Sequence, residues 1–312
     1  MTVWRRRERV ALSFTQQAVH LMVARGNGKV RELHSSARVL SEGALRPGLR
    51  PPNLTDPETV KGAVHELVEE ARQADLLARR PELVALLLED ASVRVGATPF
   101  DGAAPSGAEG ERMARFTLRD LLPADGSELR LAWNVMETRG DFAPAVAGEP
   151  ECWRWLVATG TTVGVVQEYE SVIESLGWSA GRLQSWTIAL GAADNGTALQ
   201  PEVAVEAGGS DVASTRQLLI CGTGSTMSCL VQMQGVPRFH RAWRTPLDSP
   251  RLEVELQRLH AYITDRLEMT IGETILCGSV LWAQEVSAVC QQIGWVTRQI
   301  EPASAMLATL QS

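Results

Sequence analysis

The apolar positions in the first half of the chain predict short strands followed by a helix. Residues 9–14, 18–24 and 30–40 are short segments separated by turn sequences, and we interpret them as three strands. Across residues 56–74 the apolar positions recur about every 3.6 residues, which predicts an amphipathic helix. Thr55 and Glu58 have capping-box spacing at its start.

The chain then continues with alternating strand and helix patterns. Residues 83–89 are almost entirely apolar and predict a buried strand. Further strands are predicted at residues 153–159 and 182–190, with a helix at residues 161–176 between them. Residues 97–110, which are rich in Gly, Ala and Pro, predict a loop.

The second half repeats this order. Three strands are predicted at residues 218–221, 226–233 and 236–242, with a turn at Gln234-Gly235. A helix opens at Ser249-Pro250, where serine is a good cap and proline a good first residue. The remaining elements are a strand at 274–277, a helix at 281–293 and a strand at 296–300.

Three strands, helix, strand, helix and strand therefore occur twice, which predicts an α/β protein with a duplicated domain. We expect a first domain at residues 1–190 with a small inserted subdomain at about 92–150. A linker at 191–215, with many glycines and little periodicity, would lead to a reduced second domain at 216–312.

Charge and cysteine content exclude several classes of function. The formal net charge is -7, so the chain lacks the basic surface that broad nucleic-acid binding needs, and we expect no nucleic-acid partner. The five cysteines include no C-x-x-C pair, which argues against a disulfide framework or a structural zinc site. We therefore expect no metal.

The hydrophobic runs are short. The longest, residues 83–88, has six residues, whereas a membrane-spanning helix needs about 20. Four arginines occur among residues 5–9, but no signal-peptide apolar region follows them. We therefore expect a cytoplasmic protein.

Two glycine turns are candidates for binding a phosphate. In Gly222-Thr223-Gly224-Ser225-Thr226, consecutive backbone N–H groups and hydroxyls could surround an anion. Gly278-Ser279 lies at a strand-to-helix turn, where a helix N-terminus presents free N–H groups. A tight turn without a ligand is the alternative at both positions, and spacing alone favours that alternative.

Other catalytic motifs are missing. No lysine follows the second glycine of a P-loop pattern, since the only lysines are Lys29 and Lys61. Ser225 is not in a G-x-S-x-G nucleophile elbow. The five histidines (His20, His34, His65, His240 and His260) form no H-E-x-x-H motif, and we interpret them as surface or structural residues. The helix predicted after Gly110, at residues 111–122, is highly charged. Two interpretations fit it equally: a face that docks a partner, and the solvated side of a small subdomain.

Several stretches resemble one family in order and position. Residues 9–24 match an opening phosphate hairpin, and residues 109–137 resemble a small subdomain with a helix ending near a proline and then a strand. Residues 165–177, and Glu255 and Arg258 in an E-x-x-R helix, add to the pattern. The chain is similar to the PilM branch of the actin-like ATPase superfamily, cytoplasmic pilus-assembly proteins related to the cell-division protein FtsA. The resemblance implies duplicated actin-like (ribonuclease-H-like) domains.

The chain departs from that family at the nucleotide site. The resemblance implies Asp-x-Gly in the first hairpin, which residues 12–17 lack, and an acid where Ile220 stands before Gly222. Ser279 replaces the second glycine of the adenosine turn. A further small subdomain between Ala242 and Ser249 is expected and missing. Because the acids position Mg²⁺ against the phosphates, we expect neither catalysis nor a cofactor. ATP binding without turnover through residues 222–226, Gly278 and Ser279 is the alternative left open.

Three functions follow as hypotheses. The first is a non-catalytic scaffold of a type IV pilus or related secretion assembly, at the inner face of the inner membrane. Its family binds the cytoplasmic tail of a bitopic membrane partner between the main first domain, here residues 1–90, and the inserted subdomain, roughly 92–150. Self-association is left open. The second is an active actin-like ATPase or small-molecule kinase. The third is an unrelated hydrolase that uses Ser225 or Cys221.

Overall fold

The computed structural model of the chain describes residues 8–25, 32–77, 81, 83–123, 128–139, 152–195, 216–223, 226–244, 250–303, 306 and 310. The first half begins with β1 (Glu8–Phe14), β2 (Ala18–Arg25), β3 (Glu32–Val39), α1 (Pro57–Gln73) and β4 (Leu83–Leu88). The inserted segment contains β5 (Arg94–Phe100), α2 (Gly107–Leu118), β6 (Leu129–Arg139) and β7 (Cys152–Thr162). The first half then ends with α3 (Val163–Glu174), β8 (Arg182–Ser185) and α4 (Trp186–Asn195).

The second half contains β9 (Arg216–Thr223), β10 (Thr226–Met233), β11 (Val236–Arg244), α5 (Pro250–Asp265), β12 (Glu273–Cys277), α6 (Val280–Ile293) and β13 (Thr297–Ile300). Its sheet has the order β11-β10-β9-β12-β13, and the sheet of the first half has the order β3-β2-β1-β4-β8. In each sheet three antiparallel strands come first and two parallel strands are added beside the first of them. The predicted α/β duplication is therefore confirmed.

The amphipathic patterns bury the faces that they predict. On α1, Val60, Val64 and Leu67 are fully buried, and the helix lies over β2 and β3. On α5, Leu252, Leu256 and Ile263 belong to the core of the second half. These helices are held by packing of one apolar stripe, which contributes most of the stability of helices of this length.

Two local predictions in the first half are wrong. The cap of α1 is Asp56 rather than Thr55, because the Asp56 carboxylate accepts the Thr59 N–H at 3.1 Å and the Thr59 hydroxyl at 2.6 Å. The strand predicted at residues 182–190 stops at Ser185, and a helix begins at Trp186. The N–H and hydroxyl of Thr187 donate to the buried Asp90, a distant carboxylate that satisfies the start of α4.

The inserted segment forms a three-stranded sheet of order β5-β7-β6 with α2 packed on it. Strand β5 extends to Phe100, whereas the sequence predicts a loop from residue 97 to residue 110. The loop prediction is therefore wrong for residues 97–100. The reason is strand pairing: residues 97–100 continue the antiparallel ladder with β7, from Ala97 opposite Val157 to Phe100 opposite Arg154.

The chain divides into two compact units. The first unit comprises Met1–Ser92, Thr162–Ala198 and Glu301–Ser312, and the second comprises Val93–Thr161 and Leu199–Ile300. The inserted segment is thus grouped with the second half, where β5 lies beside β11 and the Arg238 guanidinium stacks over the Trp155 ring at 3.9 Å. The predicted domain and linker boundaries stay predictions.

Only five residues separate β11 from α5. Among the described residues, no helix is both long and apolar enough to cross a membrane.

Candidate functional site: the hairpins of the two halves

The second-half hairpin lies where the strands β9 and β10 meet. Gly222 and Thr223 end β9, and Thr226 pairs with Thr223 at the start of β10. Gly224 and Ser225, between them, lie outside the described residues. The structure therefore places three of the five predicted hairpin residues at the facing ends of two paired antiparallel strands.

The structure also brings the second glycine turn to this hairpin. Strand β12 runs parallel to β9, with Cys277 in register with Cys221, so the next residue, Gly278, lies beside Gly222. A Cβ built on Gly278 would be 3.1 Å from the carbonyl oxygen of Gly222. The two predicted turns are thus neighbours at the carboxyl ends of two parallel strands, the edge where ligands bind in many α/β sheets.

A tryptophan covers both glycines. A Cβ added at either Gly222 or Gly278 would lie less than 3.0 Å from the Trp282 indole, a separation that real Cβ atoms essentially never show. Trp282 is only 3% exposed and belongs to the core of the second half, with Ile220 and Leu276. Glycine at these two positions therefore leaves room for the Trp282 indole. This packing explains both glycines without a bound phosphate.

Ser279 caps the helix that carries this tryptophan. Its hydroxyl oxygen accepts the Trp282 N–H at 3.4 Å, and Gly294 ends α6 in the left-handed region with φ of 88°. The Ser279 side chain thus satisfies one of the N–H groups that an anion at the helix start would use. Nucleotide binding by Gly222, Thr223, Gly224, Ser225, Thr226, Gly278 and Ser279 stays a prediction.

The first-half hairpin is closed differently. Thr15 and Ala18 form a tight turn between β1 and β2, in which the Thr15 N–H donates to the Ala18 carbonyl at 2.9 Å. The N–H of Gln16, at the tip, donates to the carboxylate Oε1 of Glu89 at 2.6 Å. Glu89 is fully buried and directly follows β4, which runs parallel to β1. The backbone N–H at the tip of the predicted phosphate hairpin is therefore already hydrogen-bonded to a carboxylate of the chain itself.

Sequence reasoning missed Glu89 and its neighbour Asp90. A signal was present, because both acids follow a buried apolar strand, and the ends of parallel strands meet at one sheet edge. Asp90 is 1% exposed and accepts from Thr187 at the start of α4. Both acids thus accept hydrogen bonds from the chain, in contrast to the expected site with no carboxylate.

The buried carboxylate changes which ligands the first hairpin can accept. Two unit charges of like sign 4 Å apart repel by about 4 kcal/mol at an effective dielectric constant of 20. A phosphate approaching the Gln16 N–H would have to displace Glu89 and also remain close to it. The residues of this hairpin therefore do not fit a polyanionic nucleotide.

Metal and nucleophile chemistry receive no support from the described residues. Within them, no group of three or more His, Cys, Asp or Glu side chains is arranged to hold a metal ion. The histidines lie on five separate elements, and burial lowers the pKa of His20. Cys221, one nucleophile of the hydrolase hypothesis, is 1% exposed, and Ser225 lies outside the described residues.

Comparison with known proteins identifies the fold. No protein-family model matches the chain, and no curated protein matches it. A solved PilM–PilN type IV pilus biogenesis complex contains a chain that is 15% identical, with a TM-score of 0.64 over 95% of this chain and 89% of that one. A Bacteroides thetaiotaomicron protein of unknown function with an actin-like ATPase fold is 9% identical, with a TM-score of 0.53 over 98% and 96%.

A third similar structure is the cytoplasmic domain of EpsL, an inner-membrane component of the type II secretion system of Vibrio cholerae. It is 10% identical, with a TM-score of 0.50 over 97% of this chain and 94% of that one. At these identities the similarity is one of fold, and it extends over nearly the whole of each chain. The fold predicted from the resemblance is therefore confirmed: the chain has the actin-like ATPase fold by which the Bacteroides thetaiotaomicron structure is described, and it is similar in fold to the PilM–PilN and EpsL structures.

Proposed function

We propose that the protein is a non-catalytic, actin-like scaffold of a type IV pilus or related secretion assembly. It binds the cytoplasmic tail of a bitopic inner-membrane partner. The observation that carries the proposal is the similarity over 95% of the chain to a structure described as a PilM–PilN complex. The EpsL similarity, over 97% of the chain, adds a second protein of an inner-membrane assembly. Fold alone does not determine function, so the chemistry of the hairpins has to agree with it.

The hairpins support the absence of catalysis. Phosphoryl transfer needs a metal held by carboxylates against the phosphates, together with backbone N–H groups around them. In the first half, the tip N–H of Gln16 is already bonded to Glu89. In the second half, Ile220 stands where the resemblance places an acid, and Trp282 packs on Gly222. Both hairpins keep their backbone form while their side chains serve the interior of the protein.

The inserted subdomain offers a surface for a protein partner. Helix α2 buries Ala114 and Leu118 against its sheet, and its other side exposes Phe116 at 61%. The Arg119 guanidinium lies 4.7 Å from the centre of the Phe116 ring. An exposed aromatic beside an arginine is the composition that recurs at centres of protein interfaces. We propose that α2 contributes to the surface for the partner tail.

Localisation follows from the partner in this proposal. The protein would be held at the inner face of the inner membrane by the tail that it binds. An active actin-like ATPase or small-molecule kinase is the second candidate. The observation that favours it is Glu89, a buried carboxylate directly at the tip of the first hairpin.

Binding of the tail is tested by isothermal titration calorimetry with the full chain. The titrants are synthetic peptides of the cytoplasmic tails of the bitopic pilus and secretion proteins encoded in the same genome. We expect one tail to bind with micromolar affinity and a scrambled peptide of the same composition not to bind. Failure of every tail would contradict the proposal.

The surface on α2 is tested with a matched pair of variants. Phe116→Ala removes the exposed aromatic, and we expect it to weaken tail binding about tenfold. Leu121→Ala is the control, because Leu121 is also exposed, at 41%, but follows the last turn of α2. Equal affinities for the wild type and Phe116→Ala would remove α2 from the proposed surface.

A further inference from the structure

The two five-stranded sheets begin with equivalent edge strands, and the second half covers its own. Strand β11 is first in the order of its sheet, as β3 is in the sheet of the first half. Beside β11 lies β5, in the same compact unit, with the Arg238 guanidinium over the Trp155 ring. Strand β11 also contains Pro237, which has no N–H to offer to a further strand. The edge at β11 is therefore protected against pairing with another chain.

The edge at β3 has no such cover among the described residues. Leu33, Ser35, Ala37 and Val39 share one face of this strand and are all exposed, Val39 at 87% and Leu33 at 48%. We call these four residues the exposed row. Within the described ranges, only β2 pairs with β3. The exposed row contains no charge and no proline, two features with which proteins usually block an exposed edge.

The register of β2 and β3 shows which backbone groups face outwards. The Leu40 N–H donates to the Gln17 carbonyl at 2.8 Å, and the same register continues along β3. Residues of an antiparallel pair alternate between hydrogen-bonded and non-hydrogen-bonded positions. Counting back from Leu40, the even-numbered residues of β3 bond to β2, so the N–H and C=O groups of the exposed row point away from it. The Ala37 carbonyl accepts the Arg38 guanidinium at 3.1 Å and has a second lone pair for another donor.

A second copy of the same strand fits this edge under two-fold symmetry. With two β3 strands antiparallel and Ser36 on the symmetry axis, Leu33 lies opposite Val39 and Ser35 lies opposite Ala37, each pair occurring twice. This register pairs all four residues of the exposed row, whereas a shift in either direction leaves at least one of them without a partner in β3. It brings apolar residues together at both ends and matches the outward N–H and C=O groups.

The other face of β3, which lies under α1, agrees with the same register. The Ser36 hydroxyl oxygen is buried and has no hydrogen-bond partner within the described part of the chain. On the symmetry axis it would lie opposite Ser36 of the second copy, and two hydroxyls can bond across strands. Arg38 would lie opposite His34 of the second copy. The Arg38 charge is already paired with Glu66 at 3.3 Å and with Glu70 at 2.6 Å.

From these observations we propose that β3 is a self-association surface, at which two copies of the chain join their first-half sheets by antiparallel β3–β3 pairing. The occupant is a second copy, because the exposed row and Ser36 are complementary to themselves in a single register. The joined sheet has ten strands, five from each copy. One strand on each side is a small interface, so association depends on concentration. The proposal does not depend on the scaffold function.

Association is tested by sedimentation velocity of the full chain. We expect the weight-average mass to rise towards twice the monomer mass over about 1–100 µM, the range of a weak interface. Ala37→Pro removes one outward N–H without removing a bond to β2, and should stay monomeric throughout this range. Circular dichroism checks that the variant is folded. A wild type that is monomeric at every concentration would overturn the proposal, and so would a dimer that persists in folded Ala37→Pro.

Two double variants test the register with the same number of substitutions at the same exposed positions. Ser35→Lys with Ala37→Glu places opposite charges across the axis twice, and should associate at least as tightly as the wild type. Ser35→Glu with Ala37→Glu places like charges there, and should associate about tenfold more weakly than the first variant. Equal association of the two double variants would overturn the β3–β3 pairing.

A pair of exposed valines provides a further matched control. Val39→Lys adds a charge at the end of the exposed row and should weaken association about fivefold. Val254→Lys makes the same change on α5, where Val254 is 44% exposed, and should leave association unchanged. Weakening by Val254→Lys as large as that by Val39→Lys would place the self-association surface elsewhere and overturn the proposal.

Discussion

The two halves of the chain carry equivalent hairpins, β1–β2 and β9–β10, but the hairpins are closed by different chemistry. In the first half a buried carboxylate, Glu89, accepts the N–H at the hairpin tip. In the second half an indole, Trp282, packs against the glycine that ends the first strand of the hairpin. One closure is electrostatic and the other is steric.

The difference shows how one architecture can keep its shape while its site is remodelled. The backbone of each hairpin is fixed by strand pairing, which is the same in both halves. The side chains around the hairpins are free to change, provided that polar atoms stay paired and the interior stays filled. The two halves meet those requirements by separate routes, so each can be tested without disturbing the other.

The largest expected effect is at Trp282. Trp282→Ala should lower the free energy of unfolding by about 3–5 kcal/mol, because it leaves a cavity beneath α6 and β9. Urea denaturation followed by circular dichroism measures it, with Trp243→Ala, a less buried tryptophan of the same half, as the control. A loss below about 1 kcal/mol would mean that the indole does not fill the interior at the two glycines.

The next effect is at Gly222. Gly222→Ala should cost about 1–3 kcal/mol, since its methyl group would overlap the indole. Combined with Trp282→Ala, the same substitution should cost less than it does alone, a non-additivity expected of residues in contact. Gly272→Ala, where the nearest heavy atom to an added Cβ is 3.5 Å away, is the matched control. Strict additivity of the two changes would contradict the packing role of the glycine.

The electrostatic closure predicts a smaller change. Glu89→Gln keeps the shape of the side chain but replaces a charged acceptor by a neutral one, and should cost about 1–2 kcal/mol by urea denaturation. It should not create binding of Mg·ATP, because the glycines of the second half remain covered by Trp282. Glu42→Gln, at an exposed position in the same half, should change stability by less than about 0.5 kcal/mol. A gain of Mg·ATP affinity in Glu89→Gln would show that charge alone closes the site.

The smallest effect concerns pH and the first half alone. Burial lowers the pKa of His20, so the folded chain binds fewer protons there than the unfolded chain does. His20 therefore contributes to stability above its ordinary pKa of 6.5, and this contribution is lost as the pH falls below it. The loss from one proton is at most about 1.4 kcal/mol per pH unit. Urea midpoints at pH 7.5 and 5.5 should differ less in His20→Gln than in the wild type, and an unchanged difference would contradict this.

Regular patterns made much of the fold predictable. Strand β10 has the bounds that its residues predict, and the turn at Gln234-Gly235 has the two positive φ angles, 49° and 79°, of a tight hairpin. Prediction failed where a distant residue decides the local structure. The start of α4 depends on Asp90, 97 positions from Thr187, and no local sequence signal carries that information.

The candidate site was predictable in position but less so in chemistry. The order of the strands indicates that Gly222 and Gly278 lie together, since β9 and β12 are parallel neighbours and each glycine lies at the carboxyl end of its strand. The strand order does not predict that the Trp282 indole packs against both glycines, because this contact depends on the path of α6. Glu89 could have been found from the end of a buried parallel strand, whereas its bond to Gln16 depends on the geometry of the turn.

The central claim is that this actin-like chain supports an assembly without handling a nucleotide. Its most direct test is calorimetric titration of the full chain with Mg·ATP, followed by a phosphate-release assay on the same sample. The account predicts no heat of binding at millimolar Mg·ATP and no phosphate release above the buffer rate. Saturable binding with hydrolysis that disappears in Glu89→Gln would contradict it and would identify the protein as an active ATPase.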